Sequence, residues 1–227
     1  MRTPRSVTVI IPSLNEELRI RASVASAVAE TAEVIVVDGG STDATVAAAR
    51  AGGARVIPGP RGRAAQMEAG AAVAKGEWLV FLHADTRLEA GWAEALQGLD
   101  ADVVGGAFRL AVDSPRWRYR LVEAAVRLRC VLLRLPYGDQ ALFVRRGSLG
   151  RGGVFRDVPI LEDVDLARRL RREGRLALLP VRAVTSARRW DQMGFWRATL
   201  LNWYVMALDA LGWPRERLAR IYGVRGS

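Results

Sequence analysis

The sequence predicts an α/β fold with a mostly parallel central sheet and helices on both faces. Three runs carry this expectation: Val7–Ile11 (VTVII), the apolar start of VIVVDGGSTDAT at Val34–Thr45, and Glu77–Leu82 (EWLVFL). Each is nearly continuous in apolar residues, stops at a polar segment and is followed by a stretch of helical character. Strands apolar on both sides belong in a sheet that is covered on both faces. Right-handed crossovers would then set the three strand ends along one rim, where open α/β sheets bind ligands.

After VTVII, Pro12 breaks the run, and Ser13 and Asn15 are placed to cap a helix carrying Glu16, Glu17 and Ile20 onward. The second strand ends at Asp38 in the acidic, glycine-rich turn Asp38-Gly39-Gly40-Ser41. Thr42 or Asp43 can cap the next helix, Ala44 to Arg50, closed by Gly52-Gly53. A short strand near Arg55–Ile57 follows and stops at Pro58-Gly59-Pro60. RGRAAQMEAGAAVAKG then runs as an alanine-rich helix to Gly76. Arg61 and Arg63 at its start oppose the helix dipole, so they read either as solvated loop charges or as anion contacts. The third strand stops at His83-Ala84-Asp85.

Leu88–Leu99 reads as a helix, and Asp102–Val112 as a strand interrupted at Gly105-Gly106. Pro115–Leu135 is a basic helical stretch. Arg116, Arg120, Glu123, Arg127 and Arg134 are spaced by threes, fours and sevens, while Leu121, Leu128, Val131 and Leu132 do not fall on one narrow stripe. Such a helix is either a solvated flank or lies against anionic lipid. Pro136–Gln140 forms a polar turn ahead of the strand ALFVRR. The glycine-rich stretch Gly147–Gly153 and a turn at Asp157–Pro159 lead to ILEDVDLARRLRREG, with Val164, Ala167 and Leu170 on one face of a helix ending at Gly174. Glu162, Asp163 and Asp165 crowd its first turn, as ordinary capping would. RLALLPVRAVTSARRW reads as a strand pair or a strand and loop, and Phe195–Leu211 as an aromatic-rich helix. Trp190, Trp196, Trp203 and Trp213 are expected as core or interface groups rather than sugar platforms.

At 227 residues the chain can bury roughly 70% of its unfolded surface, enough for one generous domain. The net charge of +10 comes from 34 basic and 24 acidic residues, and Lys75 is the only lysine. This charge admits nucleic acid, anionic lipid or nucleotide as a partner. The arginines are dispersed and accompany no zinc, helix-turn-helix or RNA-binding pattern, so nucleic acid is not expected. A single cysteine, Cys130, excludes an internal disulfide, fits a reducing compartment and reads as a small buried hydrophobe. With one histidine as well, any metal must rest mainly on carboxylates, which favours Mg²⁺ or Mn²⁺. MRTPRS leads straight into a strand, and no run of 18 uncharged apolar residues occurs. The expected location is cytoplasmic, at the inner face of the cell membrane if the basic helix meets lipid.

Asp38, Asp85 and Glu162-Asp163 are three separated acidic sites, more than helix caps require. A metal–diphosphate site needs carboxylate oxygens to hold the cation. A further carboxylate can take a proton from an incoming hydroxyl, and the arginines after Pro60 can bond phosphate oxygens. Composition and spacing alone leave phosphatases and nucleotidyltransferases open.

Five segments narrow the choice: IPSLNE at Ile11–Glu16, VDGGSTDAT at Val37–Thr45, GRAAQMEAGAAVAKGEWLVFLHADT at Gly62–Thr86, YGDQALFVRR at Tyr137–Arg146 and ILEDVDLARRLRREG at Ile160–Gly174. In this order the chain resembles family 2 glycosyltransferases of the GT-A fold, and among them the short, soluble bacterial selenodomain-associated transferases. The resemblance implies one GT-A domain, with a nucleotide-binding part at about 1–100 and an acceptor-side part at about 101–227. It implies an inverting transfer of sugar from a nucleotide-diphosphate donor, a UDP- or GDP-sugar, to an acceptor hydroxyl, which is lipid-linked if the basic helix meets a membrane. By the same resemblance, Pro12 and Glu16 line the nucleoside pocket, Asp38 bonds the base and Arg63 approaches the base or phosphates. Asp85 matches the last acid of the DxD motif and ligates Mg²⁺ or Mn²⁺. Asp163 is the general base, Glu162 orients the acceptor or that base, and Asp139 and Gln140 lie on the acceptor side.

Two departures stand out. His83 occupies the first position of DxD, and one acid, Asp38, precedes Gly39-Gly40-Ser41 where the family often has two. The transmembrane helices and processive region of polymer synthases are not seen, so a single transfer per acceptor is expected. A sugar-phosphate nucleotidyltransferase would bring a glycine-rich loop and a lysine, and IPSLNE offers neither. A catalytically lapsed, membrane-peripheral interaction protein is the remaining alternative, and donor turnover separates it from an enzyme.

Overall fold

The computed structural model describes residues 6–31, 33–133, 136–150, 153–156 and 158–223. The expected turn residue Asp157, the end of the basic stretch at Arg134 and Leu135, Arg151-Gly152 of the glycine-rich stretch and residues 1–5 lie outside them. The described elements are β1 (Val7–Ser13), α1 (Ile20–Val28), β2 (Glu33–Asp38), α2 (Thr45–Ala51), β3 (Arg55–Pro58), α3 (Arg63–Val73), β4 (Trp78–Phe81), β5 (Thr86–Leu88) and α4 (Trp92–Gln97). They continue with β6 (Val103–Asp113), α5 (Arg118–Leu133), a 3₁₀ turn at Gly138–Gln140, β7 (Leu142–Arg145), α6 (Glu162–Glu173), β8 (Arg175–Ser186), α7 (Arg188–Met193), α8 (Phe195–Ala210) and α9 (Arg215–Tyr222).

The eight strands form one sheet in the order β3-β2-β1-β4-β7-β6-β8-β5. The predicted runs β1, β2 and β4 are parallel, as is β3 beside β2. Their register aligns Ser13 with Asp38 and Ile10 with Phe81, which sets the three strand ends on one rim. β7 runs antiparallel between β4 and β6, so its amino end, just after Gly138–Gln140, reaches the same rim.

Alternation along the buried strands feeds two cores. Val9 and Ile11 of β1 face one cluster with Ile20 and Val24 of α1, Ala48 of α2 and Trp92 of α4. Ile10 faces the other, with Met67 of α3, Phe81, and Leu166 and Leu170 of α6. Burying each such aliphatic side chain contributes about 1.5–3 kcal/mol, so the two-sided pattern is strongly enforced.

Several local expectations are corrected. Ser13 and Asn15 do not cap α1, which starts at Ile20. Asn15 instead adopts φ 53° and joins the turn after β2: its N–H donates to Ser41 Oγ at 3.0 Å and its Oδ1 accepts the Thr42 N–H at 2.9 Å. Asp43 accepts the Thr45 N–H at 3.0 Å and so serves the start of α2. The stretch Leu88–Leu99 is not one helix. Thr86–Leu88 is drawn into an antiparallel edge pair with β8, and Gly91, in the left-handed region, opens a shorter α4.

Gly105-Gly106 does not end β6 but lets it pack closely. A Cβ at Gly106 would lie 1.9 Å from the Ala177 carbonyl oxygen, a position no side chain can occupy. The segment after Arg175 is a single long strand paired in parallel with β6, not a strand pair. Its register slips between Phe108 and Arg109, opposite Leu179 and Arg182, which leaves Pro180 and Val181 as a bulge where a missing proline N–H is tolerated. The residues after it, Arg188–Met193, form α7.

Candidate active site

The rim gathers the predicted residues into three neighbouring groups. At the end of β2, Asp38 is held by its own turn: Oδ2 accepts the N–H groups of Gly40 and Ser41, both at 3.0 Å, and Oδ1 accepts the Ser41 hydroxyl at 2.5 Å. Pro12 is buried one residue before the end of β1, beside Val37. Gln66, buried on α3, donates to the Ser13 and Val37 carbonyls at 2.8 and 3.1 Å and so ties the two strand ends together.

A second group forms after β4. Arg188, at the start of α7, donates to Glu16 at 2.7 Å and lies 3.6 Å from Asp85. Both carboxylates therefore face one guanidinium, whose charge they hold more firmly: the hydrogen bond to Glu16 is the main cause raising its pKa. Sequence reasoning missed Arg188 and Gln66. The signal for Arg188 was two arginines at a strand end before a tryptophan, with no spacing rule to give them a role.

The third group lies around Gly138. Its N–H donates to Asp163 Oδ2 at 2.6 Å, and a Cβ there would fall 3.2 Å from both that oxygen and His83 Nε2. Only a glycine lets the turn pass between the two side chains without displacing them. Asp163 Oδ1 also accepts the Val164 N–H at 2.8 Å. Arg63, the first residue of α3, donates from Nε to Glu162 Oε1 at 2.5 Å. These residues, with Met67, Phe81, Leu142 and Phe155, line a narrow crevice. The arginine expected to approach base or phosphates is here committed to Glu162.

Burial and charge set the protonation of this group. Burial raises the Asp163 carboxyl, and the adjacent Glu162 raises it further. Burial also acts on Glu162, but the charge and hydrogen bond of Arg63 outweigh it and leave that carboxyl lowered. Burial and Arg63 push His83 down to about 3, so its imidazole is neutral at physiological pH. Asp139 is pushed up to about 6 by burial, against the pull of Arg129, and its Oδ1 has no hydrogen-bond partner among the described residues. Two carboxylates with opposite shifts, side by side, can divide acid–base and charge-holding roles.

Gln140 turns away from the cleft. Its Nε2 donates to the Phe108 carbonyl and its Oε1 accepts the Tyr137 N–H, both at 3.2 Å, so it braces the turn that presents Asp139. Cys130, buried as expected, donates to the same Oε1. Leu161, immediately before Glu162, is held at φ 61°. A branched side chain in this region costs about 1–2 kcal/mol, so the approach to the acidic pair is a strained one.

Among the described residues, no group of three or more His, Cys, Asp or Glu side chains is gathered to hold a metal. Asp85 offers one hard carboxylate, and His83 Nε2 lies toward Gly138 and Asp163. The donor set fits Mg²⁺ or Mn²⁺ only in company with phosphate oxygens from a ligand, a binding mode usual for Mg²⁺.

This topology, with its acidic rim at the carboxyl ends of parallel strands, is that of the GT-A glycosyltransferases. The chain belongs to glycosyl transferase family 2, whose sequence pattern matches residues 8–152. It is similar to the mannosyltransferase PcManGT from Pyrobaculum calidifontis, solved with GDP-Man and Mn²⁺, at 25% identity and a TM-score of 0.63. That match covers 80% of this chain, which spans 57% of the mannosyltransferase. Two further structures share the fold. Glucosyl-3-phosphoglycerate synthase from Mycobacterium tuberculosis, solved with Mg²⁺ and uridine-diphosphate, is 22% identical with a TM-score of 0.62, over 92% of this chain and 80% of that one. S. aureus TarS 1-349 is 16% identical with a TM-score of 0.63, over 80% and 60%. No curated protein sequence matches the chain.

Proposed function

We propose that the protein is an inverting glycosyltransferase that moves a sugar from a nucleotide-diphosphate donor, a UDP- or GDP-sugar, to an acceptor hydroxyl. The observation that carries this reading is Asp163: a half-buried carboxylate with a raised pKa, in the first turn of α6, beside a Glu162 that Arg63 keeps ionised. A carboxylate so placed is a stronger base than an exposed one and faces the cleft where an acceptor would enter.

Asp163 takes the proton of the acceptor hydroxyl as that oxygen bonds to the anomeric carbon. The bond from that carbon to the diphosphate oxygen breaks on the opposite face, and the diphosphate leaves with the electron pair. Arg188, beside Asp85, and the half-exposed Arg63, beside Glu162, can lend charge to the departing diphosphate. Pro12, Glu16 and Asp38 form the nucleoside side, and Asp139 the acceptor side, with Gln140 bracing it. Asp85 would hold Mg²⁺ or Mn²⁺ jointly with the diphosphate, and the cation would supply charge neutralisation to the leaving group. The nucleotide ligands and cations of the mannosyltransferase and the synthase support this donor class.

The family match weighs against a nucleotidyltransferase. A lapsed enzyme is separated by experiment: thermal shift of the full chain with UDP, GDP and their sugars, with and without Mn²⁺. The expected result is stabilisation by one base family, enhanced by Mn²⁺ and lost in Asp85→Ala. A folded protein that binds none of them overturns the reading.

A further inference from the structure

We propose that helices α5 and α8 form a docking surface for an anionic lipid bilayer. The observation is a pair of outward apolar stripes. Along α5, Trp117, Leu121, Ala124, Leu128 and Leu132 follow one another at steps of three and four and all are exposed, Trp117 by 73% and Leu132 by 68%. The inward face of the same helix carries Tyr119, Val126 and Cys130, all buried. In sequence, Leu121, Leu128, Val131 and Leu132 do not fall on one narrow stripe, yet all four are exposed. The helical turn collects them on the side away from the core.

Helix α8 repeats the arrangement. Trp196, Leu200, Trp203, Tyr204 and Leu211 are exposed, Trp196 by 72% and Trp203 by 63%, while Ala198, Val205 and Leu208 are buried. Of the tryptophans expected in core or interface, only Trp190 is in the core. The two helices meet at their first turns, where Tyr119 and Ala198 share one buried cluster with Trp190. The starts of the two helices are therefore neighbours, with the Tyr119 and Phe195 rings 5.5 Å apart.

Exposed apolar surface on this scale marks an interaction site. The chemistry at its edges selects the occupant. Arg127 stands along one side of the α5 stripe and Arg197 beside the α8 stripe, both exposed, while Arg116 and Arg120 on the same side of α5 are held by Asp191 and by Glu123 with the Val112 and Ser114 carbonyls. Arginine stems beside an apolar stripe can lie along lipid while their heads meet phosphate, and tryptophan rings favour the same depth. A second copy would set these arginines against like charges, and the chain already carries +10. An anionic leaflet complements both features. No helix among the described residues is long and apolar enough to cross a membrane, so the contact is peripheral.

The surface also adjoins the acceptor side. The inward face of α8 packs Val205 and Leu208 against Ile160, two residues before Glu162. The inference stands on the exposed stripes and does not depend on the transferase reading.

The test is co-sedimentation of the full chain with vesicles of phosphatidylcholine alone or mixed equally with phosphatidylglycerol, beside a variant carrying Leu121→Gln, Leu128→Gln and Leu132→Gln. These side chains are exposed, and an unchanged melting temperature confirms that the variant folds. The expected result is partition to the anionic vesicles with a blue shift of tryptophan emission, weakened by salt and reduced roughly tenfold or more in the variant. No partition to anionic vesicles overturns the proposal, whether or not the protein is a dimer. So does equal partition to neutral vesicles, or a variant that binds like the parent.

Discussion

Arg63 donates to Glu162 at 2.5 Å across 99 positions of sequence, and this ion pair joins the first residue of α3 to the first residue of α6. Glu162 is buried while the Arg63 side chain remains 48% exposed. The pair therefore ties α3 to α6 while leaving the arginine reachable from solvent. Replacing Arg63 by Met leaves a buried carboxylate without its partner. We expect a loss of about 1–3 kcal/mol, less than for a fully buried pair because Arg63 is screened. The acid limb of the activity profile should also move to higher pH. Urea unfolding and a pH–rate series check both, and an unchanged midpoint would show that the pair contributes nothing to stability.

Asp163→Asn keeps the shape of the side chain but removes its basicity. Turnover should fall by roughly 10²–10⁴-fold, with donor affinity changed far less. Steady-state rates beside calorimetric titration of the nucleotide separate the two. A parallel loss of binding and rate would assign Asp163 to the donor rather than to the acceptor.

Asp139 makes stability depend on pH in an unusual direction for an acid. Its folded pKa, about 6, lies above its ordinary value of 3.8, so between these values the folded chain binds more protons than the unfolded one. Its contribution therefore becomes less favourable as pH rises from about 4 to 6 and stays so above 6. Asp139→Asn should be more stable than the parent at pH 7 by about 2–3 kcal/mol, a difference that shrinks toward pH 4. Urea midpoints of the two proteins at pH 4, 5, 6 and 7 measure it, and a constant difference would exclude titration of this group.

Gly106→Ala tests the close approach of β6 and β8. The added methyl would lie 1.9 Å from the Ala177 oxygen and 2.7 Å from the Phe143 ring. Backbone on one side and a packed aromatic on the other leave no cheap relaxation, so a loss of about 3 kcal/mol or more is expected. Chemical denaturation of the soluble fraction reads this directly, and a shift below 1 kcal/mol would mean that the strands can separate.

Local chemistry made much of this legible. β1, β2 and β4 were readable because a strand buried on both faces must be apolar throughout, and their polar ends marked the rim. The early part of α6 was readable from its apolar spacing and acidic first turn. The edge strand β5 was not, because three residues form a strand only when Thr185 and its neighbours in β8 arrive to pair with them. Arg188 was equally hidden, since nothing near it in sequence announces Glu16 or Asp85 as partners.

The sequence by itself determined the α/β class, the parallel core strands and the acidic positions at their ends. Those features follow from apolar periodicity and turn chemistry, which act within a few residues. Tertiary structure decided which acids are neighbours, which arginine each one meets and which helix faces remain uncovered. Protonation follows from those decisions. Asp163 and Glu162 are adjacent acids in the chain, yet their pKa values move in opposite directions because Arg63, folded in from 99 residues away, pairs directly with Glu162. Burial and Coulomb interactions depend on distance through space, and a sequence records only distance along the chain.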